Sequence, residues 1–250
     1  MNTGHNAAPV LSSVRWLLLS IFGWEVVYAL RGVGPQEIGR IGLGPFELLL
    51  FTLMPALMAF ALVRLFLAVV QAAYGSLNTY TLTSSPWAWL FWLSLGLALT
   101  GQGTHLTADV LGRVLPEVVQ HGEFGARLMF FDNTLAAWLL GLGMFLATGV
   151  VLMLGPGAAQ MVIGVERLLM ALASMATYGV LILFMGVMRR QFLLALLGSV
   201  ILTGIGLRLL PRGELTRDPV TLAIIPGTAI AGATLIVWAA LAGGPPTWPW

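Results

Sequence analysis

The first long apolar stretch of the chain runs from Leu11 to Leu30 and reads LSSVRWLLLSIFGWEVVYAL. A membrane-spanning helix needs about 20 mostly apolar residues, because each residue advances the helix by about 1.5 Å and the hydrocarbon core is about 30 Å thick. The stretch has this length and carries only two charged residues, Arg15 and Glu25. We expect it to stay in the protein as a helix, since no small-residue signal-peptide cleavage site follows it.

Further stretches of the same kind follow along the 250 residues. Together with the first, the predicted spans cover residues 11–30, 45–70, 86–110, 128–154, 168–188, 192–210 and 220–241. Helices are the expected structure, because each unpaired backbone group in hydrocarbon costs several kcal/mol. The sequence therefore predicts an all-α, polytopic integral membrane bundle of about seven transmembrane helices, forming a single domain over residues 1–250.

The composition agrees with this class and excludes several kinds of chemistry. Hydrophobic residues make up 58% of the chain and charged residues 9%, whereas about a quarter of the residues in soluble domains are charged. All twelve basic residues are arginine, so a retinal or pyridoxal Schiff base on lysine is excluded. The chain has no cysteine, which excludes disulfides and Cys-ligated metals. The lipid bilayer is the expected partner, and no nucleic-acid partner is expected.

The arginines do not assign an orientation in the membrane. Seven spans would place the two termini on opposite sides, and loop arginines normally favour the cytoplasmic side. Six arginines fall on each side: Arg15, Arg64, Arg167, Arg208, Arg212 and Arg217 on the N-terminal side, and Arg31, Arg40, Arg113, Arg127, Arg189 and Arg190 on the other. The sequence thus predicts a multi-pass protein without indicating its orientation or its membrane.

Glu25 is the clearest candidate for a functional residue within a span. It lies about 15 Å of helix beyond Arg15, inside an apolar stretch, and ionisable residues at such depth are costly and are functional candidates. Two structural interpretations stand beside this one. Glu25 can be a protonated carboxyl group hydrogen-bonded to a neighbouring helix, or it can pair with Arg31.

His105 and Asp109 form a second candidate feature, in the segment GQGTHLTADVLGR. Their i,i+4 spacing places an imidazole and a carboxylate on one helix face, where they can share a metal ion or fix each other's protonation. The alternative is a hydrogen-bonded pair at a helix end. Asp132 is the third feature, and it either belongs to a site or helps to start the fourth helix, where an acidic residue is favoured.

Alternating helix directions bring these residues to one leaflet. The first and third spans end there and the fourth begins there, so Glu25, His105, Asp109 and Asp132 share that side with Glu47. One imidazole and several carboxylates can bind a divalent cation such as Mg, Mn or Fe, or can form a proton pathway. The sequence therefore offers Glu25, His105, Asp109 and Asp132 both as candidate metal ligands and as candidate proton or ion pathway residues.

Three functions follow from this pattern. The first is a non-catalytic subunit or scaffold of a larger membrane assembly, favoured by the short loops, by the weakly polar fifth to seventh spans and by the C-terminal Thr247-Trp248-Pro249-Trp250. Other membrane protein subunits are then expected partners. The second is a proton- or cation-coupled transporter that uses Glu25 and the His/carboxylate group. The third is a metal-dependent membrane enzyme that acts on lipid.

Overall fold

A computed structural model describes residues 8–31, 43–78, 80–116, 122–155, 162–187, 191–209 and 218–242. These ranges are helical almost throughout, and they contain no strand. The long helices are, in chain order, α1 (Ala8–Leu30), α2 (Pro45–Tyr74), α3 (Pro86–Val114), α4 (Glu123–Leu154), α5 (Gly164–Val187), α6 (Phe192–Leu209) and α7 (Pro219–Leu241). The all-α prediction is confirmed for this part of the chain.

Five of these helices are long and apolar enough to cross a membrane, namely α1, α2, α4, α5 and α7. α3 is longer than most of them, at 29 residues, but Gln102, His105 and Asp109 make its second half more polar. α6 has 18 residues and carries Arg208 in its last turn. The five apolar helices make this chain an integral membrane protein.

Five helix ends in the described ranges lie three to five residues beyond the predicted ones, and the end of α3 and the start of α4 are two of them. α3 was predicted to end near residue 110 and continues to Val114, and α4 was predicted to begin near 128 and begins at Glu123. The prediction followed apolar composition, which marks where a helix leaves hydrocarbon. A helix can continue in water where its own side chains stabilise it, as the i,i+4 pair of Glu123 and Arg127 does here.

α3 and α4 pack against each other in antiparallel fashion at two close backbone contacts. A methyl group built at Gly101 of α3 would overlap the backbone of Ala136 and Leu140, and one built at Gly143 of α4 would overlap that of Ser94. Small residues permit such close approach between membrane helices. The two contacts fix the register of the pair, because moving one helix along the other would bring a side chain into either gap.

α7 packs against α5 around a proline inside its helix. Pro226 removes one backbone donor from α7, and the next residue, Gly227, donates its N–H to Ser174 Oγ of α5 at 2.9 Å. Thr203 Oγ1 of α6 and Thr228 Oγ1 of α7 form a further contact at 3.2 Å. Hydroxyl groups thus connect the helices that the sequence marks as least polar.

The end of the bundle near the start of α1 is tied by two arginines. Arg15 of α1 forms an ion pair with Glu166 of α5, and Arg64 of α2 donates to Ser12 Oγ of α1 at 3.1 Å. Both arginines are exposed, so their contribution to stability is small. The remaining polar contacts of interest lie toward the opposite end.

Candidate functional site

His105 of α3 and Asp132 of α4 form a hydrogen-bonded pair through Nδ1 and Oδ1. His105 is buried and Asp132 is largely shielded, with 11% and 21% of their side chains exposed. The glycine contacts explain why these two residues meet. Gly101 lies opposite Ala136. His105 and Asp132 lie one helical turn further along the antiparallel pair, at the same level as each other.

Two π-helical segments contribute residues to the surroundings of this pair. Asp132 lies in the segment Phe131–Ala136 of α4, and Phe51 lies in the segment Leu49–Leu53 of α2. The ring of Phe51 contacts the His105 ring edge to face, with 5.2 Å between centroids. Its backbone carbonyl accepts a hydrogen bond from Gln102 Nε2 at 3.2 Å. Short π segments of this kind often occur at functional sites.

Asp109 has a different partner from the one that its spacing suggested. It forms an ion pair with Arg113 at 3.1 Å, again with i,i+4 spacing. Arg113 also donates from both terminal nitrogens to Glu47, each bond at 3.0 Å. Glu47 Oε2 in turn accepts the Gly44 N–H at 3.1 Å, which helps to start α2. Asp109 therefore belongs to a network that ties the end of α3 to the start of α2.

Glu25 belongs to neither of these two hydrogen-bonded groups. Its Oε1 atom is buried and makes no hydrogen bond within the described part of the chain. Arg31, which the sequence offers as a partner, lies with its guanidinium over the ring of Tyr28, 4.0 Å from the centroid. The neighbouring Trp24 packs against Phe184 of α5, with ring centroids 5.4 Å apart.

The four candidate residues thus fall into three sets according to their hydrogen-bond partners. His105 and Asp132 form one pair, Asp109 joins Arg113 and Glu47, and Glu25 is separate. Among the described residues, no group of three or more His, Asp and Glu side chains lies close enough together to hold a metal ion. The structure gives no support to a metal centre made of these four residues. The Trp-rich C-terminal segment, Arg189 and Arg190 lie outside the described residues.

The His105–Asp132 pair lies in the wall of a cavity of about 100 Å³ inside the bundle. The wall is mainly apolar and is formed by side chains from α1 to α5, among them Trp24, Leu50, Met58, Leu95, Leu140 and Phe184. The polar side chains in the wall are those of Gln102, His105, Asp132 and Gln191. We call this space, with its wall, the α3–α4 cavity.

Sequence reasoning did not single out Gln191. This residue lies between the predicted spans 168–188 and 192–210 and directly follows Arg189 and Arg190 in the sequence, where a glutamine is unremarkable. In the structure it is buried, with 3% of its surface exposed, and neither side-chain amide atom has a hydrogen-bond partner among the residues that the structure describes. Its position depends on how α5 and α6 pack against α4, which a local sequence pattern does not report.

Comparison with known proteins adds no relative to this picture. No protein-family model, no curated protein and no solved structure matches the chain. The α3–α4 cavity and its polar residues are therefore the features of the chain that indicate its function.

Proposed function

We propose that the chain crosses the bilayer seven times, with α3 and α6 as spans beside the five strongly apolar helices. α3 has 29 residues, equivalent to about 44 Å of helix, and so exceeds the hydrocarbon thickness of about 30 Å. Its more polar residues follow its apolar first half, where a long helix would leave the hydrocarbon. α6 packs between two apolar helices, with Gly198 against Phe145 of α4 and Ser199 against Gly232 of α7.

The function that this geometry supports best is binding of a small, mostly apolar molecule in the α3–α4 cavity. The observation that carries the proposal is a mainly apolar cavity whose wall contains a shielded His–Asp pair. Binding sites for small molecules are typically apolar pockets with a few placed polar groups. An inert scaffold has no need of such a pair, because burying polar groups costs free energy.

The His105–Asp132 pair supplies the reactive chemistry of the proposed site. When Nδ1 of His105 donates to the Asp132 carboxylate, this hydrogen bond fixes the tautomer and the orientation of the ring. Histidine and carboxylate side chains inside a membrane bundle are the groups from which proton pathways are built. Of the predicted roles, this favours a proton-coupled transporter, since the site lies between helices inside the bundle.

A cavity-filling substitution tests the proposal. Ala137→Phe places an aromatic ring in the wall of the α3–α4 cavity, whereas Ala56→Phe adds the same ring at an exposed position of α2 outside the wall. Small molecules that co-purify with the protein in mild detergent are then identified by mass spectrometry. We expect a molecule bound to the wild type and to Ala56→Phe but absent from Ala137→Phe. Equal content in all three proteins would contradict the proposal.

A further inference from the structure

In the described part of the chain, Gln191 is a buried polar residue of the α3–α4 cavity whose side-chain amide makes no hydrogen bond. Its backbone is fully engaged: its N–H donates to the Met185 carbonyl at 3.2 Å, and its own carbonyl accepts from Ala195 at 2.9 Å. Within the described residues, its Nε2 and Oε1 atoms are both buried without a hydrogen bond. The amide thus presents an unused donor and an unused acceptor side by side in the cavity wall.

The neighbouring helix is built to accept this side chain. Gly141 of α4 lies against it, and a methyl group at that position would come within 3.2 Å of Gln191 Oε1. The same methyl group would also overlap Met185 and Leu194. The amide is therefore held in a fitted place, where burial without hydrogen bonds is unfavourable. A buried amide in this state indicates that something else supplies the missing bonds.

The charges in the wall restrict what that molecule can be. Among the described residues of the wall, the ionisable side chains are His105 and Asp132, and these two are paired with each other. A ligand with a fixed charge would lose its hydration without finding an oppositely charged side chain in the wall that is available to pair with it. A neutral polar group loses less, and one with a donor next to an acceptor can form a hydrogen bond with both the N–H and the carbonyl side of the amide.

We propose that the Gln191 side chain binds the polar group of a neutral ligand that carries a hydrogen-bond donor and acceptor next to each other, as a carboxamide, a lactam or a protonated carboxylic acid does. The apolar wall then accommodates the rest of the molecule. This inference rests on the proposed binding function of the α3–α4 cavity, and it adds the chemical class of the ligand.

Photoreactive probes with one short alkyl chain and different head groups test the assignment. The heads are a primary carboxamide, its N,N-dimethyl analogue, a carboxylic acid and a trimethylammonium group, and labelled peptides are mapped by mass spectrometry. The dimethyl analogue keeps the carbonyl acceptor and lacks the donor. We expect the carboxamide to label the cavity of the wild type about tenfold more strongly than the dimethyl analogue or the cation. Labelling by the acid at low pH, equal to that by the carboxamide, would identify the protonated acid as an alternative source of the same chemistry.

Gln191→Met is the decisive variant, because methionine has a similar length and no hydrogen-bonding amide. The preference for the carboxamide should disappear in it. A preference that survives, or equal labelling of the wild type by the dimethyl analogue or the cation, overturns the assignment. Ala137→Phe separates this failure from that of the binding function. If it abolishes cavity labelling while Gln191→Met keeps the preference, the ligand class alone is wrong. If it labels like the wild type, the binding function is wrong as well.

Thermal stability without ligand gives a second readout from a matched pair of glutamines. Gln191→Met should raise Tm, because it removes a buried amide without partners. Gln102→Met should lower Tm, because Gln102 donates to the Phe51 carbonyl. A fall in Tm for Gln191→Met would show that the amide already has its hydrogen bonds in the empty protein, and would overturn the inference.

Discussion

His105 shows at the scale of single residues how an ionisable group is kept inside this bundle. Nδ1 of its ring is hydrogen-bonded to Asp132, and the ring packs edge to face against Phe51. Little of the His105 surface is exposed. A hydrogen bond with a charged partner contributes about 1.5–3 kcal/mol when both groups are shielded from water. The pair can therefore keep its geometry even beside a mainly apolar cavity.

A double-mutant cycle measures which acid is the partner of His105. The variants are His105→Gln, Asp132→Asn and the double variant, with unfolding free energy measured in mixed micelles. We expect a coupling energy of about 1–3 kcal/mol, because each single change removes the same bond. The matched cycle of His105 with Asp109 should give a coupling below about 0.5 kcal/mol, since Asp109 pairs with Arg113. A larger coupling in the second cycle would contradict the observed pairing.

At the scale of helices, the α3–α4 pair positions the site. Gly101 and Gly143 let the two backbones approach, and this approach sets the level at which His105 meets Asp132. The π segments then turn Phe51 and Asp132 toward the same region. Close helix packing and the π-helical hydrogen bonding both determine which side chains face the cavity. In a regular α-helix, the residues after each π segment would point in a different direction.

Alanine substitutions in α3 separate the packing effect from helix propensity. Gly101→Ala should destabilise the protein by about 2–4 kcal/mol and separate α3 from α4, because its methyl group would overlap the α4 backbone. Gly103→Ala lies two residues away with nothing within 4 Å of the added carbon. It should leave stability unchanged or raise it by about 0.5–1 kcal/mol. Thermal unfolding of both variants checks this, and equal effects would refute the packing role of Gly101.

At the scale of the whole molecule, ion pairs between arginines and carboxylates tie the two ends of an apolar bundle. Arg15 with Glu166 ties one end, and Arg113 with Glu47 and Asp109 ties the other. The wall of the α3–α4 cavity includes residues from Leu95 to His105 of α3 and from Leu50 to Ala59 of α2.

The absence of cysteine makes the seven-span proposal directly testable. Single cysteines at Ser76 and Glu123 are exposed and flank α3, and those at Ile163 and Ala242 flank α5 to α7. If α3 crosses the bilayer, an impermeant maleimide applied to intact cells labels only one cysteine of the first pair. If α6 also crosses, it labels only one of the second pair, because three spans separate these sites. Labelling of both members or of neither places the corresponding helix outside the set of spans.

Hydropathy by itself determined the helical class and the approximate location of each helix, because the need to pair backbone groups in hydrocarbon acts locally along the chain. It also identified His105 and Asp132 as exceptional residues, since polarity within an apolar stretch is visible in the sequence. The i,i+4 spacing suggested Asp109 as the partner of His105, and no local sequence pattern pointed to Gln191. Partner choice, the glycine register and the cavity were decided by tertiary structure, because they depend on which faces of distant helices meet. The type of a residue and its sequence neighbours indicate the free-energy cost of burying it. Only the packing of the helices shows which groups form hydrogen bonds with its polar atoms.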